Sequence, residues 1–338
     1  MVYTTTLAGN TLIIGLILIS HPLHCPMYFF LSHLSACDIL ISTNVLPNTL
    51  KVLLSSGIYI SIQSCFTQLY FFGASAIVEC CLLTVMSYDR YLAICNPLRY
   101  SSIMNIRLPY FLAAWSWTMG LVVALINYCF LLEIQFCGSN IIDHFFCDLP
   151  PLLKISCSDS SVIELVVSIL AIVLGILQCV FVIISYVFIF NSILRISSSA
   201  GRCKAFSTCS SHLSVVCIYY GSLIAINIAP SQDYSFNLKK VLSLLNTVVT
   251  PLFNPIIYSL RNKDIQEAIF RVMFRRNRLK NKWHQWMVLL PIKQSSDADY
   301  GFRLFMMNIF WKENPLVDDL EKENMMTCIF VFTEFHVW

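Results

Sequence analysis

The side chains that could do chemistry in this sequence stand against an apolar background. Asp89, Arg90 and Tyr91 close a long apolar run shortly before Pro97. Adjacent opposite charges at such a place can form an ion pair that is made in one state and released in another. Asp38 and Glu79 are carboxylates deep inside two apolar runs, where an ionisable group is costly and tends to be paired or functional. Asn254-Pro255-Ile-Ile-Tyr258 ends a further run; Pro255 lacks an N–H, which weakens the helix there and predicts a kink. Ser185-Tyr186, in another run, offers a second phenol that could meet Tyr258 from the opposite side. None of these sets makes an enzyme. Histidines are scattered, and neither a glycine-rich phosphate loop nor a Ser/His/Asp pattern stands out. The chemistry on offer is the exchange of polar contacts.

Elements that can position such groups follow from composition. The 338-residue chain is 57% hydrophobic and 12% charged, against about 45–50% and about 25% in soluble domains. The apolar residues fall in long runs bounded by short polar loops, and a membrane span needs about 20 of them. Seven spans are predicted, at about 3–20, 27–50, 63–94, 109–131, 162–193, 205–228 and 239–260. A soluble helical protein would need charged faces that these segments lack. Beyond Tyr258, Ile265, Ala268, Ile269, Val272 and Met273 share one helical face, flanked by Arg271, Arg275 and Arg276. That pattern predicts a short amphipathic eighth helix, about 262–275, lying on an anionic leaflet. The expected fold class is therefore an all-α membrane protein, a seven-transmembrane helix bundle with a short eighth helix.

Basic residues set the orientation. Arg90, Arg99, Arg107, Arg195, Arg202, Lys204 and the run from Arg261 to Lys282 fall on one side, against Lys51, Lys154, Lys239 and Lys240 on the other. The richer side is expected to be cytoplasmic, with the N-terminus outside. The net charge of +3 reflects this bias, not nucleic-acid binding. Of the 15 cysteines, most lie within spans, where a thiol is a small apolar group. Cys65, Cys137, Cys147 and Cys157 fall on the outer, oxidising side, where disulfides are plausible. Four cysteines allow three connectivities, and spacing does not choose among them; a zinc site with His144 is the other use of these residues.

Several ordered blocks carry a family resemblance over about residues 5–280: Leu23-His-Cys-Pro-Met-Tyr-Phe-Phe-Leu-Ser-His-Leu-Ser-Ala-Cys-Asp38; Val85-Met-Ser-Tyr-Asp-Arg-Tyr-Leu-Ala-Ile-Cys-Asn-Pro-Leu-Arg-Tyr100; Lys204-Ala-Phe-Ser-Thr-Cys-Ser-Ser-His-Leu-Ser-Val-Val216; and Pro251-Leu-Phe-Asn-Pro-Ile-Ile-Tyr258 followed by Ser-Leu-Arg-Asn262. Together they resemble the olfactory receptors, within the class A G-protein-coupled receptors. The resemblance implies disulfides Cys65–Cys147 and Cys137–Cys157. It implies that Asp38 and Glu79 join Asn10 and Asn254 around one polar cavity able to hold sodium or protons. It also implies that Asp89 holds Arg90 at rest, with Arg90 and Tyr91 at the G-protein end, and that Tyr186, Asn254, Pro255 and Tyr258 belong to the switch. Ligand-lining positions carried over from the family are Phe72, Gly73, Ala76 and Ile77 in the third span and Leu174 in the fifth. Tyr220, Leu223 and Asn227 follow in the sixth, and Ser243 and Thr247 in the seventh.

Phe72 stands where amine receptors carry a carboxylate, and the seventh span has no lysine beyond its outer end at Lys239–Lys240, so neither a cationic amine nor a retinal Schiff base is expected. The implied function is binding of small, largely neutral odorants and activation of a stimulatory olfactory-type G protein that raises cAMP, without a cofactor, at the plasma membrane. A metabolite sensor of the same fold is one alternative. A non-signalling truncated receptor is another, because the first span starts within a few residues of Met1 and no Asn-x-Ser/Thr sequon occurs. A transporter would need internal repeats, which are not seen. Residues 281–338 are expected to form an irregular cytoplasmic tail.

Overall fold

The computed structural model describes residues 1–55, 57–137, 141–158, 161–228 and 233–272. Helices α1 (Val2–Ile19), α2 (Pro26–Ser55), α3 (Ile62–Cys95), α4 (Pro97–Ile103), α5 (Arg107–Leu132), α6 (Leu149–Lys154), α7 (Ser161–Leu194), α8 (Ser199–Ile228) and α9 (Asp233–Arg261) follow in order. Seven of them, all but α4 and α6, are long and apolar enough to cross a membrane. No β-strand occurs among the described residues; one isolated bridge joins Phe136 and Ser156. The protein is a seven-helix membrane bundle.

Local chemistry sets the helix ends. Pro26 and Pro97 stand at the first positions of α2 and α4, where a missing N–H costs nothing. Ser61 caps α3 by accepting from the Ser64 N–H at 3.2 Å. Asn105 Oδ1 accepts from the N–H groups of Arg107 and Leu108 at the start of α5. Gly57, just past α2, has φ of +143°, a conformation closed to most side chains. Three threonines near the start of α1 look out of place in an apolar span. Their hydroxyls donate to carbonyls one turn back, Thr4 and Thr5 to Met1 and Thr6 to Val2, so no polar group is left bare.

Some helices overrun the apolar signal. α2 continues to Ser55, α8 begins at Ser199 and not near 205, and α9 begins at Asp233 and not near 239. Hydropathy registers only the part that crosses lipid, whereas a helix can continue in headgroup and water. The 34-residue α3 is about 51 Å long at 1.5 Å per residue, well beyond a hydrocarbon core of about 30 Å.

The core lies around α3, which packs against α2, α5 and α7 along its length and touches α8 more lightly. Leu82, Leu83 and Met86 of α3 are fully buried, as are Phe30, Leu31 and Leu34 of α2. By contrast α7 exposes Leu165, Ile169, Ile176, Leu177, Ile183 and Ile184, an arrangement that lipid tolerates and water would not. Met1–Ala268 forms one compact unit. Within it residues 263–268 are helical, with Ile265 and Ala268 buried. Tyr28 of α2 donates to Asn262 at 2.9 Å and to Asp264 at 2.7 Å. Residues 269–272, the described part of the second unit, are helical as well. Met273, the rest of the expected eighth helix and the expected tail at 281–338 lie outside the described residues.

Candidate functional site

The end of α3 that carries Arg90 is built around a buried carboxylate. Asp89 is fully buried; Arg90 donates to its Oδ2 through Nε at 3.0 Å and through a second guanidinium nitrogen. The other oxygen, Oδ1, accepts from the Tyr100 hydroxyl at 2.8 Å. Tyr100 reaches it because the chain breaks at Asn96-Pro97 and α4 turns back beneath α3. Burial, then the Asp89 charge, pushes the Tyr100 hydroxyl above its ordinary pKa of 10, so it remains a donor. Tyr91 points elsewhere, its ring 6.0 Å from that of Phe188 on α7.

Nearby, Tyr186 of α7 bonds His212 of α8, hydroxyl to Nδ1 at 2.6 Å, with the rings stacked. The pairing of Tyr186 with Tyr258 anticipated above is not made. Tyr258 is fully buried and its hydroxyl has no partner among the described residues. His212 was missed as a functional residue, although it sits in the quoted Ser-Ser-His block.

The polar residues of the mid-bundle are brought together from four helices. Asn254 of α9 donates through Nδ2 to both oxygens of Asp38 on α2, at 3.1 and 3.0 Å. Glu79 of α3 is close enough for its charge to act on Asp38, and its Oε1 has no hydrogen-bond partner among the described residues. Asn10 of α1 is buried as well and donates to the Pro251 carbonyl at 3.0 Å and the Thr6 carbonyl at 3.1 Å. The reason lies in Pro255. Without an N–H it cannot satisfy the carbonyl one turn back, Pro251, and the Asn10 amide fills the gap. A Cβ on Gly9 would stand 3.1 Å from the Pro255 ring, so α1 packs closely against α9 there. No group of three or more His, Cys, Asp or Glu poised for a metal occurs among the described residues.

Residues expected to line the ligand site lie on α3, α7, α8 and α9. Phe72 packs its ring 5.3 Å from Phe146 of the loop between α5 and α6. Gly73 leaves open space, with nothing within 4 Å of an added Cβ. Ile77, Leu174, Leu223 and Ser243 are half-buried. The Ala76 carbonyl accepts from Tyr219 at 2.9 Å, and Tyr220 lies against Cys80 Sγ at 3.2 Å. Thr247 donates back to the Ser243 carbonyl at 2.7 Å. Asn227 is in α8, but its side chain lies outside the described residues. Asn246, which sequence reasoning did not single out, ties α8 to α9 by accepting from Ser222 at 2.6 Å.

Over this region lies the loop that precedes α6. Cys65 is bonded to Cys147, with Cα atoms 5.4 Å apart, and Cys137 to Cys157, with 5.8 Å. Gln68, also missed, is the clamp beneath. Its Oε1 accepts from the Cys147 N–H at 2.9 Å, and its Nε2 donates to the Asn44 carbonyl at 2.7 Å. Asn44 returns a bond to the Gln68 carbonyl at 2.7 Å. Lys240 pairs with Asp143 and lies over the Phe145 ring at 5.2 Å. Burial pushes the His144 imidazole below its ordinary pKa and the Asp148 carboxyl above its own, each opposed by the charge of the other.

This geometry can bias a two-state bundle. Comparison with known proteins agrees. A family model described as "Olfactory receptor" matches residues 1–276. Human olfactory receptor 11L1 is 46% identical over 276 residues, 82% of this chain and 86% of that one. Human olfactory receptor 6P1 is 46% identical over 275 residues, 81% of this chain and 87% of that one. Mouse olfactory receptor 5P53 is 46% identical over 274 residues, 81% of this chain and 88% of that one. The chain thus belongs to the olfactory receptor family, whose members are G-protein-coupled signalling receptors and not enzymes.

Proposed function

We propose that this receptor binds small, largely neutral odorants between the outer halves of α3, α7, α8 and α9, and signals through a stimulatory olfactory-type G protein that raises cAMP. The observation that carries the reading is the cluster at Asp89. One buried carboxylate holds Arg90 with one oxygen and Tyr100 with the other, so the guanidinium is withheld from anything docking at that end. Release of Arg90 frees a charge for the G protein. A ligand drives that release only by binding one arrangement of the helices better than the other.

α8 is the element suited to move. Among the described residues its side-chain hydrogen bonds to α3 are Tyr219 to Ala76 and Tyr220 to Cys80, whereas α9 is fastened to α1 and α2 through Pro251 and Asp38. The cluster of Asp38, Glu79, Asn10 and Asn254 couples these helices, and a sodium ion or a shared proton would be held by its two carboxylates. No cofactor is required. The Arg90 end faces the cytoplasm, in line with the charge bias of the loops, and the N-terminus lies outside the plasma membrane. Arg90→Ala should abolish odorant-dependent cAMP while leaving surface staining near wild type. A normal cAMP response in surface-positive mutant cells would refute the mechanism.

A further inference from the structure

Five residues of the loop before α6 reach three helices. Asp143 pairs with Lys240 at the outer end of α9, and the Lys240 ammonium lies 5.2 Å from the centroid of the Phe145 ring. The Phe145 carbonyl accepts from Thr49 of α2 at 3.4 Å. Phe146 packs its ring 5.3 Å from that of Phe72 on α3, and Cys147 is bonded to Cys65 and to Gln68 of the same helix. Between them His144 folds back, its Nδ1 3.0 Å from the Phe146 carbonyl and its ring edge-on to that of Phe146. The two ends of this segment are fastened unequally. Cys147 is held by a covalent bond and a buried hydrogen bond. Asp143 is held by an ion pair in which its own side chain is 71% exposed, and such pairs contribute little and are screened by salt.

We infer that residues 143–147 form a strap across the outer mouth of the odorant pocket, hinged at Cys147 and latched to α9 by the Asp143–Lys240 ion pair. Ser243 stands one turn inward of Lys240 on the same face of α9, and Phe72 lies against Phe146. The strap therefore joins two walls whose residues are expected to meet the ligand. Breaking the ion pair frees the Asp143 end while the disulfide keeps the Cys147 end in place, and ligand passes between the strap and α9. The inference rests on the outward-facing pocket proposed above.

The test uses the full chain on intact cells, gated on surface staining, with Ser243→Cys as a reporter thiol. Two membrane-impermeant methanethiosulfonates, one cationic and one anionic, are applied from outside, and labelling is read against the chain that keeps Ser243. Asp143→Asn and Lys240→Gln should each speed labelling about 2- to 5-fold with both reagents, as loss of an exposed ion pair implies. The double variant should label no faster than the single ones. A change of local field alone would act differently: Asp143→Asn would slow the cation and speed the anion, and Lys240→Gln would do the reverse. That pattern, rates unchanged by either substitution, or no labelling in any variant overturns the strap. If Ser243→Cys does not reach the surface, Gly73→Cys on α3, where an added Cβ meets nothing within 4 Å, carries the thiol. Cyclic AMP assays on the same cells separate the two readings. Latch-dependent labelling without any odorant-driven cAMP rise would refute the signalling assignment and support the strap. Odorant-driven cAMP with equal labelling in all variants would do the reverse.

Discussion

Two glycines in the middle of helices should respond oppositely to the same methyl group. Gly15 of α1 has nothing within 4 Å of an added Cβ. Gly120 of α5 faces α3 so closely that the Cβ would stand 2.6 Å from the Ala74 carbonyl oxygen and 3.3 Å from the Val78 nitrogen, and would collide with the Val78 side chain. Glycine to alanine within a helix gains about 1 kcal/mol of propensity, and at Gly15 that gain should stand. At Gly120 the obstacle is backbone of α3, which cannot rotate away, so α5 must retreat. A gap of about 0.5–1 Å forfeits a quarter to a half of each dispersion contact it opens, and overpacking of this kind costs about 1–3 kcal/mol. Gly120→Ala should therefore end roughly 1–3 kcal/mol less stable than Gly15→Ala. At about 1–2 °C per kcal/mol for a chain of this size, their melting temperatures should differ by roughly 1–6 °C. Thermal melting of the detergent-solubilised full chain measures this, with surface staining as a second readout. Indistinguishable melting of the two variants would mean that α3 and α5 do not cross as closely as described.

Cys65→Ser opens a link between residues 82 apart in sequence, worth about 4–5 kcal/mol of chain entropy; surface staining should fall steeply, and unchanged staining would argue against the bond. Gln68→Leu leaves the Cys147 N–H unpaired, at about 1–3 kcal/mol, and should lower melting temperature and surface level together. His144 makes the outer loop sensitive to acid. Burial holds its folded pKa below the ordinary 6.5, so the stability present above that pH is lost as pH falls through the folded value. Asp148, raised by burial, works in the opposite sense, its contribution being lost as pH rises. His144→Gln should thus lose less melting temperature than wild type between about pH 7.5 and 5.5; an equal loss would refute the assignment.

The helices were legible because lipid admits few solutions. A backbone in hydrocarbon must satisfy its own polar groups, so long apolar runs translate directly into helices such as α3 and α5. The open carbonyl at Pro251 was legible for a similar local reason, since Pro255 cannot donate whatever surrounds it. Partners were harder to read. Asn10 was expected beside Asp38, and its amide goes to Pro251, 241 residues away. The need of that carbonyl is local to Pro255, but which residue meets it depends on how α1 crosses α9. Tyr100 lay inside a quoted motif, and its role emerges only once α4 turns back under α3. Gln68 carried no signal at all, because a lone glutamine in an apolar run looks the same whether it faces a loop or packs idly.

The missed residues share a consequence for mechanism. Each one ties two elements together: Gln68 joins the loop to α2 and α3, Tyr100 joins α4 to α3, His212 joins α7 to α8, and Asn246 joins α8 to α9. Along α3 the outer loop is fixed by a disulfide and a glutamine, while the Arg90 end is fixed by one carboxylate and hydrogen bonds alone. A perturbation that enters between α3, α7 and α8 therefore meets its least resistance toward the Arg90 end. Tyr186 and His212 link α7 to α8 there, and among the described residues Asp89 is the group that hydrogen-bonds the Arg90 side chain. On the proposed mechanism, the disulfide-held end would keep the ligand site intact while the Arg90 end moves. That asymmetry would let one small ligand change the contacts of a charged residue at the far end of the bundle without unfolding what lies between.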